Sequence, residues 1–169
     1  TLHTFSTGRL MASSAIHVDK TVAFDVHVHL EHTGDATDAD KHAAAYFKGG
    51  GARDAASLAD YYRSRNMACV IFTVDETLTG TPRLSNDEVV EFAQKNADIA
   101  IPFASINPTR GADAVREARR LVSAGAVRGL KLHPPIQEFF PSDRIAYPLY
   151  EVFAEAKLPV VFHTGHSGI

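Results

Sequence analysis

The fold of this 169-residue chain is limited most by one feature of its sequence, a repeated alternation of short apolar segments with helical patterns. The apolar segments recur at spacings of roughly 30 residues, as the strands of βαβ units do. They cover residues 24–30, 69–74, 99–106, 127–133 and 159–163. Helical patterns between them cover residues 54–66, 85–93, 111–125 and 148–157. The sequence therefore predicts an α/β fold with a parallel sheet.

Two parallel architectures fit this alternation. In a doubly wound sheet of order 2-1-3-4-5, the first and fifth strands are separated, so His27 would not readily meet His163. In a barrel these strands face each other across the interior, and the side chains at their carboxyl ends converge. The histidines at strand ends therefore favour the barrel. A complete TIM (β/α)8 barrel needs about 250 residues, so we predict an incomplete barrel. Residues 21–169 supply its first five βα units, and residues 1–20 form an irregular N-terminal lead.

The first predicted strand, Phe24 to Leu30, carries one carboxylate and two imidazoles among apolar residues. Because side chains alternate along a strand, Asp25, His27 and His29 are expected to share one face. Neutral imidazoles are common ligands of zinc and of other first-row divalent ions. A single histidine is often an ordinary core or surface residue, but burying this polar face without a partner is unfavourable. The strand therefore predicts one side of a metal site.

The fourth and fifth predicted strands end in further polar groups. Lys131 and His133 share a face, and His163 ends the fifth strand, three residues before His166. Lys131 is expected to be an inward ammonium that pairs with Asp25 or binds a substrate carboxylate. His133 would orient a substrate or donate to the loop backbone, and His166 would contact substrate from a turn or face solvent. We take Lys131, His133 and His166 as candidate substrate-binding residues.

The composition narrows the class of partner and the compartment. Acidic and basic residues are interspersed and the net charge is -3, so the basic surface typical of nucleic-acid binding is missing. No apolar run approaches the roughly 20 residues that span a bilayer, and the first twenty residues lack the apolar core of a secretory signal. The only cysteine, Cys69, cannot form an internal disulfide. We expect a cytoplasmic protein with a small-molecule substrate and no nucleic-acid or membrane partner.

Three motifs together resemble the amidohydrolase superfamily. They are Asp25-Val26-His27-Val28-His29, Gly129-Leu130-Lys131-Leu132-His133-Pro134 and Phe162-His163-Thr164-Gly165. More narrowly, they are similar to its amidohydrolase-related branch (amidohydrolase 2). That branch contains metal-dependent hydrolases, non-oxidative decarboxylases such as the enzyme acting on aminocarboxymuconate semialdehyde, and some hydratases.

The resemblance implies that His27, His29 and His163 are metal ligands, with zinc as the first choice of metal. It also implies an aspartate from the eighth strand and usually a histidine from the sixth. Both would lie past residue 169, so no catalytic residue is assigned. The chain would then act with a missing C-terminal half of the barrel or as a homo-oligomer. Some superfamily members bridge two metals with a carboxylated lysine, and this is an alternative role for Lys131.

The resemblance implies a metal-dependent hydrolase that attacks a carbonyl-containing small molecule through a metal-activated water. A non-oxidative carboxy-lyase on the same scaffold is the first alternative, since both chemistries use the same metal ligands. A non-catalytic metal-binding domain is the second alternative. A structural zinc site is closed by four protein ligands, whereas a catalytic site keeps one position open.

Overall fold

The computed structural model describes residues 15–31, 54–76 and 83–165. The strands of this part are β1 (Ala23–His29), β2 (Met67–Phe72), β3 (Ala100–Pro102), β4 (Leu130–Leu132) and β5 (Val160–Phe162). The α-helices are α1 (Ala55–Arg63), α2 (Asn86–Lys95), α3 (Ala112–Ser123), α4 (Pro134–Gln137) and α5 (Tyr147–Glu155). Single 3-10 turns cover Val18–Lys20, Pro108–Arg110 and Arg144–Ala146. No helix among the described residues is long and apolar enough to cross a membrane.

The strands are arranged in the order in which they occur along the chain. β1, β2 and β3 form one parallel ladder, and β4 and β5 form a second. A parallel bridge between Ala104 and Leu130 joins the two ladders. The Lys131 amide strengthens this junction by donating to the Ala104 carbonyl oxygen at 2.7 Å. The sequential order 1-2-3-4-5 is that of a TIM barrel and excludes the doubly wound order.

The two faces of the sheet have different surroundings. On the outer face, α1 and α2 pack against β1 and β2 through one apolar cluster, and α3 and α5 pack against β4 through another. On the inner face, Val70, Phe72 and Phe103 form a smaller cluster. Cys69 and Ile71 of β2 belong to the outer cluster, whereas Val70 and Phe72 belong to the inner one. Alternation along β2 thus separates a helix-covered face from the barrel interior.

The strands are shorter than the sequence predicts, and one helix is additional. β3 covers only Ala100–Pro102 of the predicted residues 99–106, although the Phe103 amide still donates to the Ile71 carbonyl oxygen at 2.9 Å. The segment after β4 has no helical pattern in the sequence before residue 148, but it begins with the four-residue helix α4. Its two prolines stand in the first turn, where the missing amide hydrogens have no partner to lose. The side chain of Gln137 accepts a hydrogen bond from the His133 amide at 2.7 Å and closes this turn.

Gly129, just before β4, is needed for close packing in the interior. A Cβ atom at this position would overlap the ring of Phe103, which is itself buried. We expect Gly129→Ala to lower the free energy of unfolding by about 1–3 kcal/mol, because the packed ring must shift. Urea denaturation measures the loss. In a Phe103→Leu background, where the ring is absent, the loss should shrink, and an equal loss in both backgrounds would refute the packing explanation.

Candidate metal centre

A bulge in β1 determines which way its polar side chains point. Asp25 pairs with Cys69 and Val28 pairs with Ile71, so β1 has one residue more than β2 between these pairs. Such a bulge interrupts the regular alternation of faces. The Asp25 carboxylate consequently lies on the helix-covered side, where it accepts a hydrogen bond from the Tyr62 hydroxyl of α1 at 2.9 Å. The prediction that Asp25 shares a face with the two histidines was therefore wrong.

His27 and His29 meet in the barrel interior. Their Nε2 atoms are 3.1 Å apart, so one ring can donate to the other, and their ring centroids are 5.2 Å apart. Two nitrogens bound to one tetrahedral zinc at about 2.0–2.1 Å are separated by about 3.3 Å. The pair thus fits two neighbouring positions around a single divalent ion. Both rings belong to residues of β1.

His163 lies beside this pair, as the barrel architecture predicted. It directly follows β5, and its ring centroid is 6.1 Å from that of His27 across the interior. It also stacks on His133, which follows β4, with 3.9 Å between centroids. Among the described residues, no three His, Cys, Asp or Glu side chains are grouped so that they could hold one ion. The structure therefore preforms the His27–His29 pair and places His163 next to it. His166 lies outside the described residues.

Phe72 and Lys131 lie in the barrel interior next to the histidines. The Phe72 ring centroid is 5.4 Å from that of His27 and 5.0 Å from that of His29. The Lys131 ammonium lies 5.2 Å from the same ring, within the range of a cation–π interaction. Lys131 is 1% exposed, and its Nζ has no hydrogen-bond partner among the described residues. The expected pairing of Lys131 with Asp25 was wrong, because Asp25 faces the helix layer.

Burial controls the protonation of these groups. It lowers the pKa of His29 to about 3, with the charges of His27 and Lys131 adding to the effect. Burial, aided by His163 and Lys131, lowers the pKa of His133 to about 4, and burial alone lowers the pKa of Lys131 to about 8. The pKa of His27 is also lowered, first by burial and then by the Lys131 charge. Both histidines of the pair are thus neutral near pH 7, as metal binding requires.

A buried polar connection behind His133 was missed by the sequence reasoning. The Gln137 side chain accepts from the His133 amide and donates to the Asp75 carbonyl oxygen at 2.9 Å. The Asp75 carboxylate accepts from Arg110 at 2.6 Å and from the Asn107 amide at 2.7 Å. These bonds tie together the segments that follow β2, β3 and β4. The only sequence signal was the four-residue spacing of His133 and Gln137, which acquires meaning once α4 is known.

An ion pair beside His29 was also missed. Arg83 contacts the buried carboxylate of Glu76 at 2.9 Å. The Arg83 charge contributes to the lowered pKa of His29, which places the guanidinium near the histidine pair. Both residues lie between the predicted strand 69–74 and the predicted helix 85–93, where the sequence predicted neither kind of element. Their charges are opposite and they stand seven residues apart along the chain. Nothing in the sequence, however, indicated that the Glu76 carboxylate is buried.

Comparisons with known proteins agree with the barrel fold. One solved structure, an uncharacterized TIM-barrel protein from Bordetella bronchiseptica, has a TM-score of 0.60 at 17% identity, over 86% of this chain and 56% of that one. An amidohydrolase II structure has a TM-score of 0.60 at 13% identity, over 86% of this chain and 51% of that one. The chain thus spans about half the length of both structures, whose likeness shows the TIM-barrel fold. No curated protein matches the sequence.

The family follows from a match of the sequence to a family model. A family model for amidohydrolases matches residues 24–169. The matched region begins at β1 and includes every strand end that carries an interior histidine. The chain therefore belongs to the amidohydrolase family, and its described residues supply five strands of a TIM barrel, with helices after the first four.

Proposed function

We propose that this chain is part of a metal-dependent hydrolase that acts on a carbonyl-containing small molecule. The observation that carries the proposal is the His27–His29 pair at the carboxyl end of β1, with Nε2 atoms 3.1 Å apart. Active sites of TIM barrels lie at this end of the strands. Zinc bound there would polarise a carbonyl oxygen and lower the pKa of a bound water. His27, His29 and His163 are the residues proposed to hold it.

The charge of the interior suggests which substrates are accepted. Lys131 carries a buried ammonium without a hydrogen-bond partner among the described residues. The Nδ1 atom of the buried His133 also lacks a partner among them. A substrate carboxylate would complement both groups, because it would pair with the buried Lys131 ammonium and could accept a hydrogen bond from the neutral His133 ring. We therefore propose that Lys131 and His133 orient a substrate that carries a carboxylate next to its reacting carbonyl group.

A carboxy-lyase on the same scaffold is the second candidate. The same unpartnered Lys131 favours it, since a carboxylate held beside a metal is also the group that a decarboxylase removes. The two reactions differ in their products. Release of carbon dioxide from an aromatic or unsaturated carboxylate would assign the lyase, whereas formation of a new carboxylate from a lactone or ester would assign the hydrolase.

Binding of acetohydroxamate tests for a catalytic metal without requiring turnover. This compound ligates zinc through two oxygens and needs an open coordination position. We expect the zinc-loaded chain to bind it and the chain treated with chelator not to bind it, as measured by calorimetry. If the zinc-loaded chain does not bind the hydroxamate, the hydrolase proposal is contradicted and the metal site is a closed, structural one.

A further inference from the structure

The bulge in β1 is held by hydrogen bonds from two different elements. The His27 amide donates to Asp25 Oδ1 at 3.0 Å, within the strand itself. The Tyr62 hydroxyl donates to Asp25 Oδ2 at 2.9 Å from α1, on the outer face of the sheet. One carboxylate thus connects the backbone of a candidate metal ligand to the helix layer.

Tyr62 is suited to hold this carboxylate in one orientation. Its side chain is buried in the outer apolar cluster together with Val28 of β1 and with Leu30, which directly follows β1. Burial and the neighbouring carboxylate both raise the pKa of Tyr62, so its hydroxyl stays protonated as a donor. Because packing fixes the ring, the hydroxyl donates to Asp25 from a fixed position.

The register of β1 determines what faces the interior. Without the bulge, regular alternation would turn the Asp25 carboxylate toward the interior, because a one-residue slip reverses the faces of a strand. With the bulge, Asp25 points to α1 while His27 lies near Phe72 and His163 in the interior. If it faced the interior, the Asp25 carboxylate could not accept the hydrogen bond from the Tyr62 hydroxyl, which lies in the outer apolar cluster.

We infer that Asp25 and Tyr62 are positioning residues for His27, holding the bulge that sets its ring 3.1 Å from His29. They act through the backbone and do not touch the metal. This inference rests on the proposed metal centre. Partners that orient metal-binding histidines are worth roughly 10–100-fold in metal affinity.

The test compares zinc affinity in four variants. Tyr62→Phe keeps the packed ring and loses only the hydroxyl, and Asp25→Ala loses both hydrogen bonds. We expect each to weaken zinc binding about tenfold or more and to shift the visible absorption bands of the cobalt-loaded chain. Asp25→Asn should bind nearly as the parent does, because its amide can accept from His27 and donate to the Tyr62 oxygen. Tyr150→Phe is the control, since it loses a comparable bond to the Pro141 carbonyl at 3.1 Å in the other outer cluster.

Hydrogen exchange of the His27 amide in the metal-free chain separates this inference from the metal proposal. Faster exchange in Tyr62→Phe, with no change in Tyr150→Phe, would support positioning even if zinc does not bind the parent chain. Parent-like exchange in Tyr62→Phe would overturn the inference. Parent-like zinc affinity and cobalt spectra in both Asp25→Ala and Tyr62→Phe would also overturn it, and would leave the metal proposal intact.

Discussion

Replacing His27 and His29 together with alanine is expected to weaken zinc binding by about a hundredfold or more, since two of the ion's protein ligands are removed. The two rings hold their Nε2 atoms 3.1 Å apart, at a separation that fits two ligands of one ion. Competition with a coloured chelator measures the affinity. Because both side chains lie on the open, partly exposed end of β1, we expect the helical circular dichroism to remain.

His17→Ala is the matched control for this loss. His17 is an exposed imidazole in the lead before β1. Its removal changes the histidine count without touching the site, and we expect no change in zinc affinity. Equal affinity of the parent and the His27→Ala, His29→Ala variant would show that zinc binds elsewhere.

Replacing Lys131 with methionine is expected to raise the free energy of unfolding by about 1–3 kcal/mol near pH 7, since an unpartnered buried charge is removed. The methionine fills a similar volume and keeps the contact with Phe72. Urea denaturation in the absence of substrate measures the gain. Such a gain would indicate that Lys131 serves function and not stability. A lysine that stabilised the fold would lower the free energy of unfolding when removed.

The gain should depend on pH in a defined direction. Burial lowers the pKa of Lys131 from its usual 10.5 to about 8. The folded chain therefore gives up its proton before the unfolded chain does, and the parent gains stability as pH rises between these two values. The advantage of Lys131→Met should be largest below about pH 8 and should fall toward pH 10.

The control for this gain is Lys95→Met. Lys95 is exposed and paired with Glu91, so its replacement should change the free energy of unfolding by less than about 0.5 kcal/mol. A loss of stability in Lys131→Met would mean that the ammonium has a stabilising partner.

The features that local sequence patterns specify were predictable. The capping box of Ser85 and Glu88 marks the start of α2, and both of its hydrogen bonds are present. The alternation of apolar strands and helical patterns gave the element order and the parallel sheet. The barrel was favoured by chemistry, because only facing strands bring His27 near His163. Their ring centroids are 6.1 Å apart.

The features that depend on contacts between distant segments were not predictable. Tyr62 has the spacing of an ordinary core residue, and its bond to Asp25 joins positions 37 residues apart. The bulge that redirects Asp25 requires that bond or the register of β2, neither of which is visible in the sequence of β1. α4 was not predicted either, since the proline pair that follows β4 is equally compatible with a loop.

X-ray absorption at the zinc edge of the loaded chain tests the central claim most directly. The pair geometry predicts at least two imidazole nitrogens at about 2.0–2.1 Å from zinc. In the His27→Ala, His29→Ala variant the imidazole scattering should disappear or fall by two ligands. A zinc shell of oxygens alone in the parent chain, or the same imidazole count in the variant, would contradict the assignment of this site.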